Sequence, residues 1–434
     1  MSSWKEYKLG EIATFYNGRA YKNTEFKVSG TPIVRIQNLT GEGKIVYSDL
    51  NLDENKYIDY GDLIYAWSAT FGPYIWKGEK SIYHYHIWKI ICNEELLDKK
   101  YFYYKLKQIS DNLKDSGGNG SIFVHITKAF MENFKVKIPS LNEQKRVSSI
   151  LAYLDEKIQL NTQINQTLEQ IAQTIFKSWF IDFDPVHTKA NALASGQTLE
   201  QATQAAMSVI SGKNTQELHR LQTANPEQYQ QLWEIAEAFP SGFDEEGVPW
   251  GWEERELSYL FEFLSGAQPP KSEHIYEEKE GYERFIQNRD YSNDNHKTYI
   301  PISKKNKRCT EKDILMDKYG EAGKVRYGIK GAYNVALAKI VPQKDNLREF
   351  LRSYFTQDKI RNYLSSSSMA STRNSLNSTT FTRMKVIVPN DFLLSTFDKL
   401  ANEKIDKILQ IKQENIELSK LRDYLLPKLL SGEV

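Results

Sequence analysis

The sequence predicts an α+β protein written as an internal duplication: two similar globular domains joined by two long antiparallel coiled-coil helices, with the halves related by a pseudo-twofold repeat. Three observations predict it. The stretch "WKEYKLGEIATFYNG" (4–18) and the stretch "WEERELSYLFEFLSG" (252–266) share the skeleton W-x4-L-x2-[I/L]-x2-F-x2-G, which sets Trp4, Leu9, Ile12, Phe15 and Gly18 on Trp252, Leu257, Leu260, Phe263 and Gly266. Landmarks further on keep almost the same offset: Ile36-Gln37-Asn38 to Ile286-Gln287-Asn288 at 250, Asp62 to Asp313 at 251, Tyr83 to Tyr333 and Pro139 to Pro389 at 250. Each copy then runs into a polar and apolar stretch of helical period.

Taken in order, residues 1–140 form the first domain. Short β-branched and aromatic runs ("TPIVRIQNL", "DLIYAW", "YHIWKII") separated by Gly, Asn, Ser and Asp read as strands and turns, and "YFYYKLKQI" reads as a helix. Residues 141–186 form the first long helix, with Leu151, Leu154, Ile158, Ile164, Leu168, Ile171 and Ile175 spaced mostly at three or four. Residues 187–249, rich in Ala and Gln, read as a helical insertion or linker. Residues 250–390 repeat the first domain, and 391–434 repeat the helix, with Ile408, Ile411, Leu418 and Leu425 on its stripe. At about 1.5 Å per residue each helix is a rod on the order of 55 Å, and Asn161, Asn165 and Asn415 near the seam would fix its register. Antiparallel pairing of the rods implies a twofold ligand, and duplex DNA offers two inverted half-sites at a fixed spacing.

Composition narrows the function. Hydrophobic residues at 40% and charged residues at 26% are those of a soluble globular protein. No apolar run spans a bilayer and "MSSWKEYKLG" has no signal-peptide core, so a cytoplasmic location without a membrane partner is expected. Cys92 and Cys309 lack the spacing of a zinc site and read as reduced thiols. A formal net charge of +1 argues against a protein that coats nucleic acid through a uniform positive field.

At this level the chain resembles the specificity (S) subunits of type I restriction-modification systems. The residues that carry the resemblance are "IPSLNEQKRVSSILAYLDEKI" (138–158), "LEQIAQTIFKSWFIDFDPV" (168–186), "AFPSGFDEEGVPWGW" (238–252) and the closing "LRDYLLPKLLSGEV" (421–434). The stretch 190–237 departs from the pattern. The resemblance implies two target recognition domains, each reading half of a split DNA sequence, and helices that set the gap and dock two methyltransferase (M) subunits. It implies double-stranded DNA as a further partner, and restriction (R) subunits where a nuclease is present. No cofactor is expected in this chain, S-adenosylmethionine belonging to the partner methyltransferase subunit.

Base-reading residues vary between such proteins, so candidates come from residue chemistry. Arg19, Tyr21 and Lys22 follow the turn at Gly18, and Gln268 and Lys271 follow Gly266. Asn119, Ser121 and His125 lie on a Gly-rich stretch, with Arg373 and Asn374 on the matching Ser-rich stretch. Lys304, Lys305, Lys307 and Arg308 form the densest basic run. Trp179, Phe180 and Phe183 at the end of the first rod, and Leu425, Leu426, Leu429 and Leu430 at the end of the second, are apolar on every side and are candidate partner contacts, or else pack within the chain.

Catalytic signals are weak. "NPEQY" (225–229) only echoes the adenine methyltransferase box, no Gly-rich cofactor loop follows a strand, and Gly43-Lys44, Gly212-Lys213 and Gly323-Lys324 lack the rest of a phosphate loop. His84 and His86 form a single H-x-H whose counterparts, Asn334 and Ala336, bind no metal, so sheet histidines are the simpler reading. Glu277-x-Lys279 reads as a charged loop. Two functions stay open: a non-catalytic DNA-reading subunit, and a bivalent coiled-coil adaptor that binds only proteins.

Overall fold

The computed structural model describes residues 4–41, 43–68, 71–116, 126–292, 296–369 and 375–433. It divides into two compact units, Met1–Asn161 with Glu414–Val434, and Thr162–Gln413, so the boundary falls inside both long helices.

Unit 1 holds two four-stranded sheets. The first, all antiparallel, runs Ala13–Asn17, Ile87–Cys92, Leu63–Ala66, Gly72–Ile75. The second runs Val46–Ser48, Thr31–Val34, Ser81–Tyr83, Tyr57–Ile58, with its central pair parallel. A two-stranded ribbon, Lys5–Lys8 with Lys135–Ile138, ties the two ends of the domain together. The skeleton residues Leu9, Ile12 and Phe15 are fully buried with Trp88, Tyr101 and Phe102, and the helix Lys99–Ser116 closes this core. Unit 2 repeats the plan strand for strand. Its first sheet runs Phe261–Ser265, Leu337–Pro342, Ile314–Asp317, Val325–Arg326, and its second runs Tyr299–Pro301, Tyr282–Ile286, Gly331–Tyr333, Arg308–Cys309.

One landmark of the repeat proves coincidental. Val34 pairs with Tyr83 and Ile286 pairs with Tyr333, which sets Val34 on Ile286 and Arg35 on Gln287. The shared tripeptide Ile-Gln-Asn is therefore two residues out of structural register. The repeated tryptophan has one job in each copy, which is to cover a helix end. In unit 1 the Trp4 indole lies against Gly432, where a Cβ would come within 2.7 Å of the ring. In unit 2 Trp252 packs on Phe180 and Phe183, with ring centroids 6.0 and 5.7 Å away.

The first long helix is Leu141–Phe180 and the second Asp391–Ser431. In the first, most buried positions, Gln144, Val147, Leu151, Leu154, Asn161, Asn165, Ala172, Phe176 and Trp179, fall at steps of three, four or seven, as in a coiled-coil seam, and Ser148 and Phe180 widen the buried face where the helix meets a domain core. In unit 1 the partners run antiparallel: Asp155 pairs with Arg422 at 2.8 Å, Lys157 with Glu414 at 3.4 Å, and the Asn161 amide donates to Asn415 Oδ1 at 2.9 Å. In unit 2 Phe176, Trp179 and Phe180 all meet Phe397. Ile164 and Ile171, expected on the stripe, are instead exposed at 37% and 41%. They are themselves seven apart, so spacing alone cannot tell their stripe from the seam; the phase is set by what packs.

Residues after the first rod turn sharply at Phe183, which has a left-handed φ of 52°, and Pro185 starts the next helix. Four helices follow, Asp184–Ala194, Leu199–Ser211, Thr215–Ala224 and Pro226–Ala238, around a small core of Ala206, Met207, Leu218 and Ala236. Thr198, Asn214 and Asn225 cap three of the four N-termini. Lys189, 3% exposed, donates from Nζ to the carbonyls of Ala236, Glu237 and Phe239 and closes the C-terminus of the last helix.

The buried amides give a stability test. Asn161→Ala removes the hydrogen bond that Asn415 Oδ1 accepts from the buried Asn161 amide and leaves the bond of Asn415 Nδ2 to Ile158 O, so it should cost about 1 kcal/mol. The Oδ1 of buried Asn165 has no hydrogen-bond partner. Asn165→Leu should therefore raise the melting temperature of the chain in the same thermal-unfolding measurement.

Candidate nucleic-acid interface

In unit 1 four segments meet at one rim. Gly18 donates its N–H to Ile87 O at 3.1 Å, and an added Cβ would lie 2.3 Å from His84 O, so only glycine fits here. Arg19 then exchanges backbone hydrogen bonds with the turn between Ser81–Tyr83 and Ile87–Cys92: Arg19 N to Tyr83 O at 3.1 Å and Tyr85 N to Arg19 O at 3.0 Å. Trp67, following Leu63–Ala66, donates its backbone N–H to His86 O at 3.0 Å and its indole N–H to Tyr85 O at 2.7 Å. Ile126 N reaches Trp67 O at 3.1 Å and anchors the end of the Gly-rich stretch to the same rim.

The side chains of this rim form an aromatic column rising from the core. Tyr65 and Trp88, both buried, stack at 5.7 Å, Trp67 stacks on Trp88 at 6.1 Å, and Trp67 meets His86 edge-on at 5.0 Å. Tyr85 sits 3.9 Å from His86 and 4.4 Å from His84, centroid to centroid, and is 39% exposed. Burial, aided by His86 and Arg35, pushes the His84 pKa down to about 4, so its imidazole is neutral at physiological pH.

Unit 2 builds the same rim with different side chains. Gly266 N bonds Leu337 O at 3.0 Å, and a Cβ would lie 2.0 Å from Asn334 O. Ala267 N bonds Tyr333 O, Lys318 N bonds Ala336 O, and Leu376 N bonds Lys318 O at 3.2, 2.8 and 2.9 Å. Lys318 stands where Trp67 stands. Its Nζ donates to Ser265 Oγ at 2.9 Å, and burial lowers its pKa. Asn334 Oδ1 accepts from Ala336 N at 3.2 Å.

The sequence-derived candidates divide accordingly. Gln268 and Lys271 are exposed, Gln268 one residue beyond the rim contact at Ala267, and Lys22 is exposed beside Arg19 in sequence. Arg19 is not a free cation: its guanidinium chelates Glu25 at 2.7 and 3.1 Å, which holds the Glu25 carboxyl below its usual range. Tyr21 packs beneath that guanidinium and bonds Tyr83 O at 3.4 Å, so both serve as struts. Arg308 is likewise bound to Glu283 at 2.6 and 2.7 Å, while Lys304, Lys305 and Lys307 are exposed. Asn119, Ser121, His125, Arg373 and Asn374 lie outside the described residues.

The partner-contact candidates need correcting. Trp179 and Phe180 are buried in the unit 2 core, where Phe183 packs on Trp252 and Phe243. Leu429 and Leu430 are buried in the unit 1 core, with Leu425 and Leu426 packed against it. Trp179, Phe180, Leu429 and Leu430 thus fill cores and offer no surface, while Phe183, Leu425 and Leu426 are half-buried at the edges of those cores. The large apolar groups that the long helices do expose are Tyr153, Leu160, Ile416, Leu421 and Tyr424 in unit 1, and Ile164, Ile171 and Phe392 in unit 2.

Sequence reasoning missed Trp67, Lys318 and the His84–His86 turn as rim residues. The signal was present: these are positions where an otherwise close repeat changes residue class. His84 and His86 sit in a turn between strands, and among the described residues no cluster of three or more His, Cys, Asp or Glu side chains could hold a metal ion. No helix is long and apolar enough to cross a membrane. A chemical-shift titration should find the His84 imidazole protonating near pH 4, well below the ordinary 6.5. A midpoint at or above 6 would contradict the packed rim.

Comparison with known proteins agrees with this architecture. A sequence model of the family described as "Type I restriction modification DNA specificity domain" matches residues 1–170 and 249–422, leaving out most of the four-helix insertion. The HindI specificity subunit of Haemophilus influenzae is 33% identical over the full length of both chains. The MjaIX specificity subunit of Methanocaldococcus jannaschii is 27% identical over 77% of this chain and 68% of its own. The crystal structure of a type I restriction-modification S subunit from M. genitalium superposes with a TM-score of 0.54 at 14% identity, covering 99% of this chain and 96% of that one, which is a likeness of fold. The chain belongs to the family of type I restriction-modification specificity subunits, non-catalytic proteins that supply DNA sequence recognition.

Proposed function

We propose that this chain reads a bipartite duplex DNA target, one half with the rim of each unit, and that its long helices fix the unread spacer and dock two methyltransferase subunits. The observation that carries the reading is the double construction of the rim: one backbone frame, built twice, bearing different side chains. Two frames of one geometry suit two half-sites of one duplex, and two sets of side chains suit two different sequences. Exposed lysines at 304, 305 and 307 in unit 2 suit phosphate contacts, which set position without reading sequence. The large apolar residues that the helices leave exposed, Tyr153, Leu160, Ile416, Leu421 and Tyr424 in unit 1 and Ile164, Ile171 and Phe392 in unit 2, suit the docking of partner subunits. Methyl transfer then belongs to those subunits with their S-adenosylmethionine, and cleavage to restriction subunits where they are present.

Two measurements test this. Affinity of the assembled complex for its duplex should fall steeply and linearly on a log–log plot as salt rises, because phosphate contacts release counterions. Failure of the complex to bind duplex DNA at any salt would favour the protein-only adaptor. Inserting four residues between Asn161 and Leu168 lengthens that helix by about 6 Å. With about 3.4 Å per base pair, mapping of methylated sites should show the spacer widened by about one to two base pairs and both half-sites unchanged. The original spacing at full occupancy would contradict the role of the helices as a ruler.

A further inference from the structure

Five backbone hydrogen bonds recur at equivalent places in the two units. In unit 1 they are Gly18 N to Ile87 O, Arg19 N to Tyr83 O, His84 N to Val34 O, Trp67 N to His86 O and Ile126 N to Trp67 O. In unit 2 they are Gly266 N to Leu337 O, Ala267 N to Tyr333 O, Asn334 N to Ile286 O, Lys318 N to Ala336 O and Leu376 N to Lys318 O. Beneath them one support is kept, since Tyr83 and Tyr333 are both buried with their hydroxyls donating to the carbonyls of Tyr16 and Leu264, while Tyr65 and Trp88 give way to Met316 and Ala338. On the rim the class changes. Trp67, His84, Tyr85 and His86 in unit 1 stand where unit 2 has Lys318, Asn334, Val335 and Ala336.

The backbone frame carries both sets and so does not itself dictate the residues of the turn at 84–86, while Trp67, stacked on Trp88, is tied to the packing below. We infer that Trp67, His84, Tyr85 and His86 determine the half-site sequence read by unit 1, with Tyr85 and the two imidazoles on base edges and Trp67 positioning them. This rests on the reading that the rims face DNA.

Physical chemistry favours base edges over phosphate as the target of this turn. Arg19, the cation whose backbone is bonded to this turn, is held by Glu25, so what the turn itself offers is neutral, while the exposed Lys22 beyond it suits a phosphate. What the rim of unit 1 presents is a phenol and imidazoles, flat groups with separate donor and acceptor positions, the kind that discriminate between bases. The turn is also rigid. Trp67 holds the backbone of the turn through its indole N–H to Tyr85 O at 2.7 Å, and Trp67 is itself held by the stack on Trp88 and Tyr65. Rigid aromatic groups lose little conformational entropy on binding. Unit 2 presents an ammonium and an amide at the same places, a donor-rich set that would select a different sequence.

The test uses the full complex with its methyltransferase subunits and maps methylated sites across a genome. The variant carrying His84→Asn, Tyr85→Val and His86→Ala places unit 2 side chains on the unit 1 frame. Methylation should lose or change its preference at one or more positions of one half-site, by roughly tenfold or more per lost contact, while the other half-site keeps its sequence. That retained half-site shows within the same molecule that the complex is assembled. Should the triple variant fail to fold, Tyr85→Ala alone removes an exposed ring, and binding to a panel of duplexes differing at single positions gives the same readout. Unchanged preference in either variant would overturn the inference. So would a uniform loss across all sequences, which marks a phosphate contact. If the unaltered complex methylates without any bipartite preference, the reading under Proposed function fails instead.

Discussion

A glycine with no space for a Cβ holds the recognition face of each unit in place. At Gly18 and Gly266 the backbone lies directly on the carbonyl of the turn residue, His84 or Asn334, at distances that any side chain would violate. That approach joins the segment after the first strand of one sheet to the turn that leads from the second sheet back into it, and Trp67 or Lys318 and Ile126 or Leu376 bond to the same rim. The hydrogen bonds that the two frames share are between backbone groups, so they persist whichever side chains the turn carries.

The two units brace that rim by different means. Unit 1 relies on an aromatic column in which Phe15, Tyr65, Trp88 and Trp67 transmit the order of the core to the surface. Unit 2 has Asp317 immediately before Lys318, and Arg326 donates to it at 2.8 Å and to Glu321 at 2.7 Å, closing the hairpin that carries Lys318 with a buried ion pair. A second buried pair, Arg352 with Glu349 at 2.8 Å, lies in the same unit, where the guanidinium also covers the Tyr327 ring. Buried pairs of this kind contribute little net stability but are costly to break singly, so they restrict the geometry more than they deepen the fold.

Much of the architecture was legible in the sequence, because duplication makes it redundant. The Trp, Leu, Phe and Gly skeleton recurs with nearly constant offset, and its meaning in one copy is its meaning in the other. Helix lengths followed from periodicity. The phase of the seam did not, since Ile164 and Ile171 repeat as regularly as the residues that pack, and only the burial of Asn161 and Asn165 fixes it. The charges of Arg19 and Arg308 looked available because their neutralising partners, Glu25 and Glu283, sit 6 and 25 residues away and are joined to them only by the fold. The rim residues escaped notice for the opposite reason. A search for repeats rewards identity, whereas the functional information lies where the repeat breaks.

If recognition is divided between two self-sufficient frames, the halves of the target must be separable. The direct measurement is methylation-site mapping for a complex whose chain has residues 1–140 replaced by the first domain of another family member. The account predicts a new sequence in one half-site, with the other half-site and the spacer unchanged. A hybrid that altered both half-sites together would contradict it, since the two rims would then be reading one continuous sequence.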